Sequence, residues 1–184
     1  MLSIVDITKK ELPFGKVDSI YCDPPWNQAA LNRFYRVADA GMPPQFCIFM
    51  EKLFEVCARH CPDGPWMIEM GKENLGMLID EFVRRSCRTA HVYETKYSSG
   101  YGYLVVFPKE SCAMPAEFPL VGGVTLVYSA LMAFSRGSVL DPCCGCGKTL
   151  RAARKLRRAF FGNDINRDKI EKLARRYDLE IVKT

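Results

Sequence analysis

Short apolar runs of four to six residues alternate along this chain with longer stretches in which apolar residues recur every three or four positions. That alternation constrains the fold more than any other feature. Residues 2–5 and 17–22 read as buried strands, the second stopped at Asp23-Pro24-Pro25, where two prolines remove ladder donors. Phe46, Phe49, Met50, Leu53, Phe54 and Cys57 form a helical stripe that closes before Pro62-Asp63-Gly64-Pro65. Residues 66–70 read as a strand, and Leu75, Leu78, Ile79, Phe82 and Val83 as a helix with Asn74 as its N-cap. Residues 90–97 and 101–107 flank Ser98-Ser99-Gly100 as a hairpin, and 108–120, with Pro108, Pro115 and Pro119, form a loop. The remainder reads as helix (124–134), strand (138–140), helix (148–156), strand (158–162), a helix carrying Ile170, Leu173, Ala174 and Tyr177, and a last strand at 179–182. Strands alternating with helices predict a doubly wound, mostly parallel α/β sheet with one antiparallel hairpin.

The chain has 184 residues, 48 % of them apolar and 26 % charged, which suits one well-buried domain spanning residues 1–184. No apolar run approaches the roughly 20 residues of a membrane-spanning helix. Residues 1–6 lack a basic region followed by a long apolar stretch, so a cytoplasmic location is expected. The nine cysteines fall mostly in apolar segments, as buried thiols do. Neither Cys57-x-x-x-Cys61 nor Cys143-Cys144-x-Cys146 has the paired partners of a closed zinc site, so no metal is expected. The net charge of +5 is concentrated late: residues 141–184 hold twelve Lys and Arg against six Asp and Glu. Arg151, Arg154, Lys155, Arg157 and Arg158 read either as phosphate contacts or as a solvated helix face.

Two segments carry chemistry. Ser138-Val139-Leu140-Asp141-Pro142-Cys143-Cys144-Gly145-Cys146-Gly147-Lys148-Thr149 is a strand, a glycine-bearing loop and a helix start, an arrangement that lets a ligand approach bare backbone amides. It is not a Walker A loop, because the first glycine of that pattern falls at Pro142, which has no amide hydrogen. A dinucleotide fingerprint is disfavoured by Leu150 in the place of its third glycine. What remains is an acid at a strand end, two loop glycines, and a second acid, Asp164, placed to accept two ribose hydroxyls. With no phosphate loop, a nucleoside such as S-adenosylmethionine fits. The plain alternative is a glycine turn with Asp164 capping a helix.

The second segment is Asp23-Pro24-Pro25-Trp26-Asn27, after the buried Ser19-Ile20-Tyr21-Cys22. It sets a carboxylate, a proline carbonyl and an aromatic face at a carboxyl edge of the sheet. An exocyclic amine of a base is a poor nucleophile because its lone pair is delocalised into the ring. Acceptors at Asp23 and the Pro24 carbonyl would let the nitrogen rehybridise toward a sulfonium methyl, with Trp26 stacking on a base flipped from the duplex. The plain alternative is a proline turn with Trp26 as core filler.

With both segments in view, the chain resembles the amino-group DNA methyltransferases, which act on adenine N6 or cytosine N4, and within them the permuted group whose Asp-Pro-Pro-aromatic motif precedes the cofactor motif. Residues 2–6 look like that family's opening strand with its acid, Asp6, and residues 101–109 like its strand ending in lysine. Asp141-Pro142-x-x-Gly145-x-Gly147, followed by Arg158-x-Phe160-x-Gly162-x-Asp164-Ile165-Asn166, is similar to its cofactor region. The resemblance implies catalytic Asp23, Pro24, Pro25 and Trp26, and cofactor contacts at Asp6, Asp141, Pro142, Gly145, Gly147 and Asp164. It implies S-adenosylmethionine as cofactor and DNA as partner. An aspartate in the first catalytic position leans toward adenine N6, with cytosine N4 as the alternative. RNA adenosine enzymes also carry Asp-Pro-Pro-Trp but lack this cofactor loop. A catalytically silent binding subunit is the alternative from another class.

The chain departs from the pattern at Lys148, where the family usually has Thr, and at Phe118-Pro119, where it has a Lys-Pro pair. No separate target-recognition domain is expected. Specificity is then left to short loops at 27–45 and 108–120, or to a homodimer or partner subunit.

Overall fold

The computed structural model describes residues 1–97, 100–109 and 114–182. In chain order the elements are β1 Leu2–Ser3, β2 Ser19–Cys22, α1 Gln28–Ala38, α2 Phe46–His60, β3 Trp66–Met70, α3 Leu75–Ser86, β4 His91–Tyr97, β5 Gly100–Phe107, α4 Gly123–Phe134, β6 Val139–Asp141, α5 Lys148–Lys155, β7 Phe160–Asn163, α6 Arg167–Tyr177 and β8 Ile181–Val182. The eight strands form one sheet in the order β4-β5-β3-β2-β6-β7-β1-β8. Every neighbouring pair is parallel except the two that involve β5, so β5 alone runs against the rest.

The mostly parallel, doubly wound sheet expected from the alternation is what the chain builds. One face packs α1, α2 and α3, through Leu31, Phe49, Leu53, Leu78 and Phe82, onto Ile20, Ile68 and Leu140. The other packs α4, α5 and α6, through Val127, Leu131, Ala153, Ile170 and Leu173, onto Tyr21, Met67 and Val139. Burial on both faces explains why the central strands read as continuous apolar runs and not as alternations. No helix among the described residues is long and apolar enough to cross a membrane.

Strand β2 continues into α1 on one face, while its neighbour β6 continues into α5 on the other. The winding direction therefore reverses between β2 and β6, and the carboxyl ends of the two strands flank a crevice of the kind in which open α/β sheets bind ligands.

Two sequence expectations change, and one departure from the family pattern finds its place in the core. Residues 27–45, read as a loop, contain helix α1, because Leu31, Phe34 and Tyr35 recur at helical spacing and the Asn27 side chain accepts from the Ala30 amide at 2.9 Å. Asn74 precedes α3, but its side-chain amide donates to the Trp26 carbonyl at 2.8 Å and caps nothing. Phe118 packs its ring between Tyr93 and Phe134, with centroids 5.3 Å from each, so it fills an aromatic cluster. Ser98 and Ser99 of the hairpin turn, and residues 110–113 of the following loop, lie outside the described residues.

Candidate functional site

At the crevice lies a cavity of about 230 Å³ whose lining includes Asp6, Asp23, Pro25, Glu69, Asp141, Pro142, Gly145, Lys148 and Asp164. Most of the residues singled out in the sequence thus meet in one place, although Asp23 and Asp164 stand far apart along the chain. Pro24, Trp26 and Gly147 do not line it. Gly147 has φ +78° and opens α5, and a Cβ there would stand 2.8 Å from the Leu173 side chain. Its glycine answers a backbone and packing requirement.

One end of the cavity is densely hydrogen-bonded. The buried Asn163 side chain makes all four hydrogen bonds open to an amide. Its oxygen accepts from the Ser3 hydroxyl (2.8 Å) and the Val5 amide (2.9 Å), and its NH₂ donates to the carbonyls of Val5 (2.9 Å) and Pro142 (3.1 Å). One side chain on β7 therefore holds the loop after β1 and the loop after β6. Asp164 accepts from the Gly145 amide at 2.9 Å and the Asn166 amide at 2.8 Å, which sets the curl of the glycine loop. The N-cap of α6 is Asn166, whose side chain accepts from the Lys169 amide, so the alternative of Asp164 as a helix cap does not hold. Asp6 accepts from the Thr8 amide and hydroxyl and from the Tyr35 hydroxyl (2.7 Å), and pairs with Lys9 at 3.0 Å. Burial works against its charge, but these donors outweigh it and hold the carboxyl below its ordinary range. Asp141 is buried and accepts from the Cys143 amide and the Thr149 hydroxyl. Burial, helped by the charges of Asp23 and Asp164, overcomes those donors and raises its carboxyl to about 7.

The opposite end is sparsely paired. Asp23 accepts from the Trp26 indole and from the Lys148 ammonium, both at 3.2 Å. Burial lowers the Lys148 affinity for its proton, but the nearby Asp23 and Glu69 outweigh that and leave it raised. Trp26 is wedged in place: a Cβ at Gly71 would stand 2.7 Å from its ring and one at Gly102 3.0 Å, while Tyr97 meets it edge-on with centroids 4.9 Å apart. The ring on which a base was expected to stack is thus half-buried and outside the cavity lining, and its N–H orients Asp23. Glu69 on β3 is only 1 % exposed. Its Oε1 accepts from the Tyr21 hydroxyl at 2.6 Å, and its Oε2 is buried without a partner. Such an oxygen costs about 1–3 kcal/mol, which marks it as a group held for something other than stability.

Sequence reasoning missed Glu69 and Asn163. The signal for Glu69 is a charged residue inside the otherwise apolar Trp66-Met67-Ile68-Glu69-Met70, since a glutamate is almost never fully buried without cause. The basic segment after the glycine loop is largely in use within the fold. Arg158 donates to Leu131 O and to both oxygens of Ser135, Arg154 donates to Tyr177 O, and Lys155 sits 4.5 Å above the Tyr128 ring. Arg151, Arg154, Lys155 and Arg157 are all exposed.

No protein-family model matches the chain, and no curated protein does. Solved structures do. M1.HpyAVI in complex with SAM aligns with 90 % of this chain and 90 % of its own at 16 % identity and a TM-score of 0.65. TTHA0409 from Thermus thermophilus, a candidate DNA modification methylase, covers 100 % and 99 % at 18 % identity and 0.67. The cytosine-N4-specific PvuII DNA methyltransferase covers 97 % and 86 % at 12 % identity and 0.69. At these identities the likeness shows the fold, and it extends over nearly the whole of each chain.

Proposed function

We propose that this chain is an S-adenosylmethionine-dependent DNA methyltransferase acting on an exocyclic amine. The observation that carries the reading is the meeting of Asp23 with Asp6, Asp141, Gly145 and Asp164 in one cavity at the reversal point of the sheet. The fold is shared with the PvuII DNA methyltransferase and with M1.HpyAVI and TTHA0409, both of which are known as complexes with this cofactor.

The residues present fit the cofactor. Asp164 keeps free lone pairs on both oxygens for ribose hydroxyls beyond its two backbone bonds. A Cβ built on Gly145 meets nothing nearer than 3.9 Å, so the loop leaves open space above its backbone. Val5, Ile7, Phe34 and Ile165 supply apolar walls for a nucleoside. Asp6, Asp141, Pro142, Gly145 and Asp164 would hold the cofactor, with Gly147 shaping the loop. When bound, it supplies a methyl group on a sulfonium.

At the other end Asp23 accepts an N–H of the target amine, and the Pro24 carbonyl, which stands next to Asp23 outside the cavity lining, would become the second acceptor once the base has entered, drawing the nitrogen lone pair out of the ring. This interaction tightens as positive charge builds on nitrogen, so it serves the transition state more than the ground state. The Trp26 indole fixes one Asp23 oxygen. The Lys148 ammonium on the other stands where an amine donor would dock and must yield it when the base enters.

An aspartate as first residue of the catalytic motif favours adenine N6 as the target. The cytosine-N4 reading draws on the likeness to the PvuII enzyme. Incubating the protein with labelled S-adenosylmethionine and mixed-sequence duplex DNA or RNA, then identifying the methylated nucleoside by mass spectrometry, decides among them. N6-methyladenine in DNA is the expected product, and no transfer to either nucleic acid overturns the reading.

A further inference from the structure

Glu69 has no part in the chemistry above, yet it lines the same cavity. Side chains alternate along a strand, so Glu69 shares a face with Met67. Met67 stands in register with Tyr21, and two residues on from Tyr21 is Asp23. Glu69 and Asp23 therefore emerge side by side at the carboxyl edge, on the face that carries α4 and α5. Tyr21 engages Oε1 and leaves Oε2 buried and unpartnered, on a residue that lines the cavity.

We propose that Glu69 reads the Watson–Crick edge of the flipped base, donating a hydrogen bond from Oε2 to the ring nitrogen next to the target amine. This rests on the methyltransferase reading and deepens it by naming the substrate class. A bare acceptor stands beside the amine as N1 in adenine and N3 in cytosine, whereas the corresponding ring nitrogens of guanine and thymine carry hydrogen. A neutral carboxyl next to Asp23 thus matches the two bases that amino-group methylation concerns, and opposes the other two.

The surroundings keep the carboxyl neutral. It faces the Asp23 and Asp141 carboxylates, the Tyr21 hydroxyl and the Lys148 ammonium, with Leu104 of β5 in register beside it. Burial, then the Asp23 charge, raise it to about 8, against smaller opposing effects of Tyr21 and Lys148. Tyr21 is itself pushed well above its ordinary range by burial, so it keeps its proton and donates to Oε1, which assigns the Glu69 proton to Oε2.

The test compares 2′-deoxyadenosine with 1-deaza-2′-deoxyadenosine, which has C–H in place of N1, binding to the protein saturated with S-adenosylhomocysteine. Cytidine and 3-deazacytidine form the matching pair. At pH 6.5 the wild type should prefer the parent nucleoside by about tenfold, the scale of one buried hydrogen bond left unmade. Glu69→Gln, which keeps an N–H donor, should retain most of that preference, and Glu69→Leu should reduce it to less than about twofold. A purely structural Glu69 would leave the ratio unchanged. Should the leucine variant fail to fold, the wild type answers alone, because the preference should collapse above pH 9 as Glu69 ionises and loses its donor. Equal binding of parent and deaza nucleosides at pH 6.5, or no binding of either pair, overturns the assignment. An intact preference without methyl transfer to any nucleic acid overturns the methyltransferase reading and leaves the base-reading role standing.

Discussion

The two ends of the cavity are built on opposite principles. Asn163 makes all four of its side-chain hydrogen bonds and each Asp164 oxygen accepts a backbone amide, with partners drawn from three separate loops. Around Asp23 and Glu69 the acceptors outnumber the donors, one oxygen has none, and a single ammonium serves two carboxyl groups. A saturated network fixes geometry, as a site that must present a cofactor in one pose requires. An undersatisfied one stores unfavourable electrostatics that an incoming ligand relieves, and such departures from local optimum gather where chemistry occurs. On the proposed function, the contrast separates holding from reacting within a few residues of the same sheet edge.

Variants at each end should fail in different measurements. The largest effect belongs to Asp23→Ala. Its single-turnover methyl-transfer rate should fall by about 10²–10³, the scale of one lost electrostatic stabiliser, while cofactor affinity by calorimetry stays within about twofold. Equal losses in both would mean the two ends do not act separately. Next comes Asn163→Ala, which strips four bonds from the saturated end and leaves buried partners unpaired. Urea unfolding should show a loss of about 3 kcal/mol, and a loss below about 0.5 kcal/mol would refute the description of that end as a structural clamp. Asp164→Ala should weaken S-adenosylmethionine binding by about 1.5–3 kcal/mol through the charge-assisted bonds it removes, with the rate at saturating cofactor little changed.

The smallest effect sharpens the account of the sparse end. Glu69 binds its proton more tightly folded, at about 8, than an unfolded glutamate does near 4.5, so between those values the native state carries more protons than the unfolded one. Stability should then fall as pH rises from about 5 to 8 and level off above. Glu69→Gln should flatten part of that decline in thermal unfolding followed across the same range. An identical slope in wild type and variant would mean the carboxyl is not held neutral.

Much of the saturated end could be read in advance, because its chemistry is spelled by local punctuation. Asp141 and Asp164 close short apolar runs and are followed by proline, glycine or a new helix, which are signals of backbone geometry. Asp23 was legible for the same reason. Glu69 was legible only as a charge inside an apolar strand, since its meaning lies in the neighbours a sheet brings across from β2 and β6, and nothing within five residues names them. Asn163 escaped notice because its partners lie about 160 positions away in β1 and its loop. Helix α1 was within reach, with a capping asparagine and apolar residues at helical spacing, but residues 27–45 read as a loop that carries specificity. The stacking role expected of Trp26 depended on which way its ring faces, which Gly71 and Gly102 decide by leaving room for it.

The place of β1 between β7 and β8 has a consequence for how the molecule comes into being. Residues 2–5 leave the ribosome long before the strands they pair with, and the Asn163 amide that fastens them is made about 160 residues later. At a synthesis rate of about 5–20 residues per second, that is a wait of roughly 10–30 s. The centre of the sheet, β2 with β3 and then β5, can assemble while β1 is still without partners. Long-range closure of this kind is slow, so the pocket that would grip the cofactor should be the last part of the protein to acquire its shape.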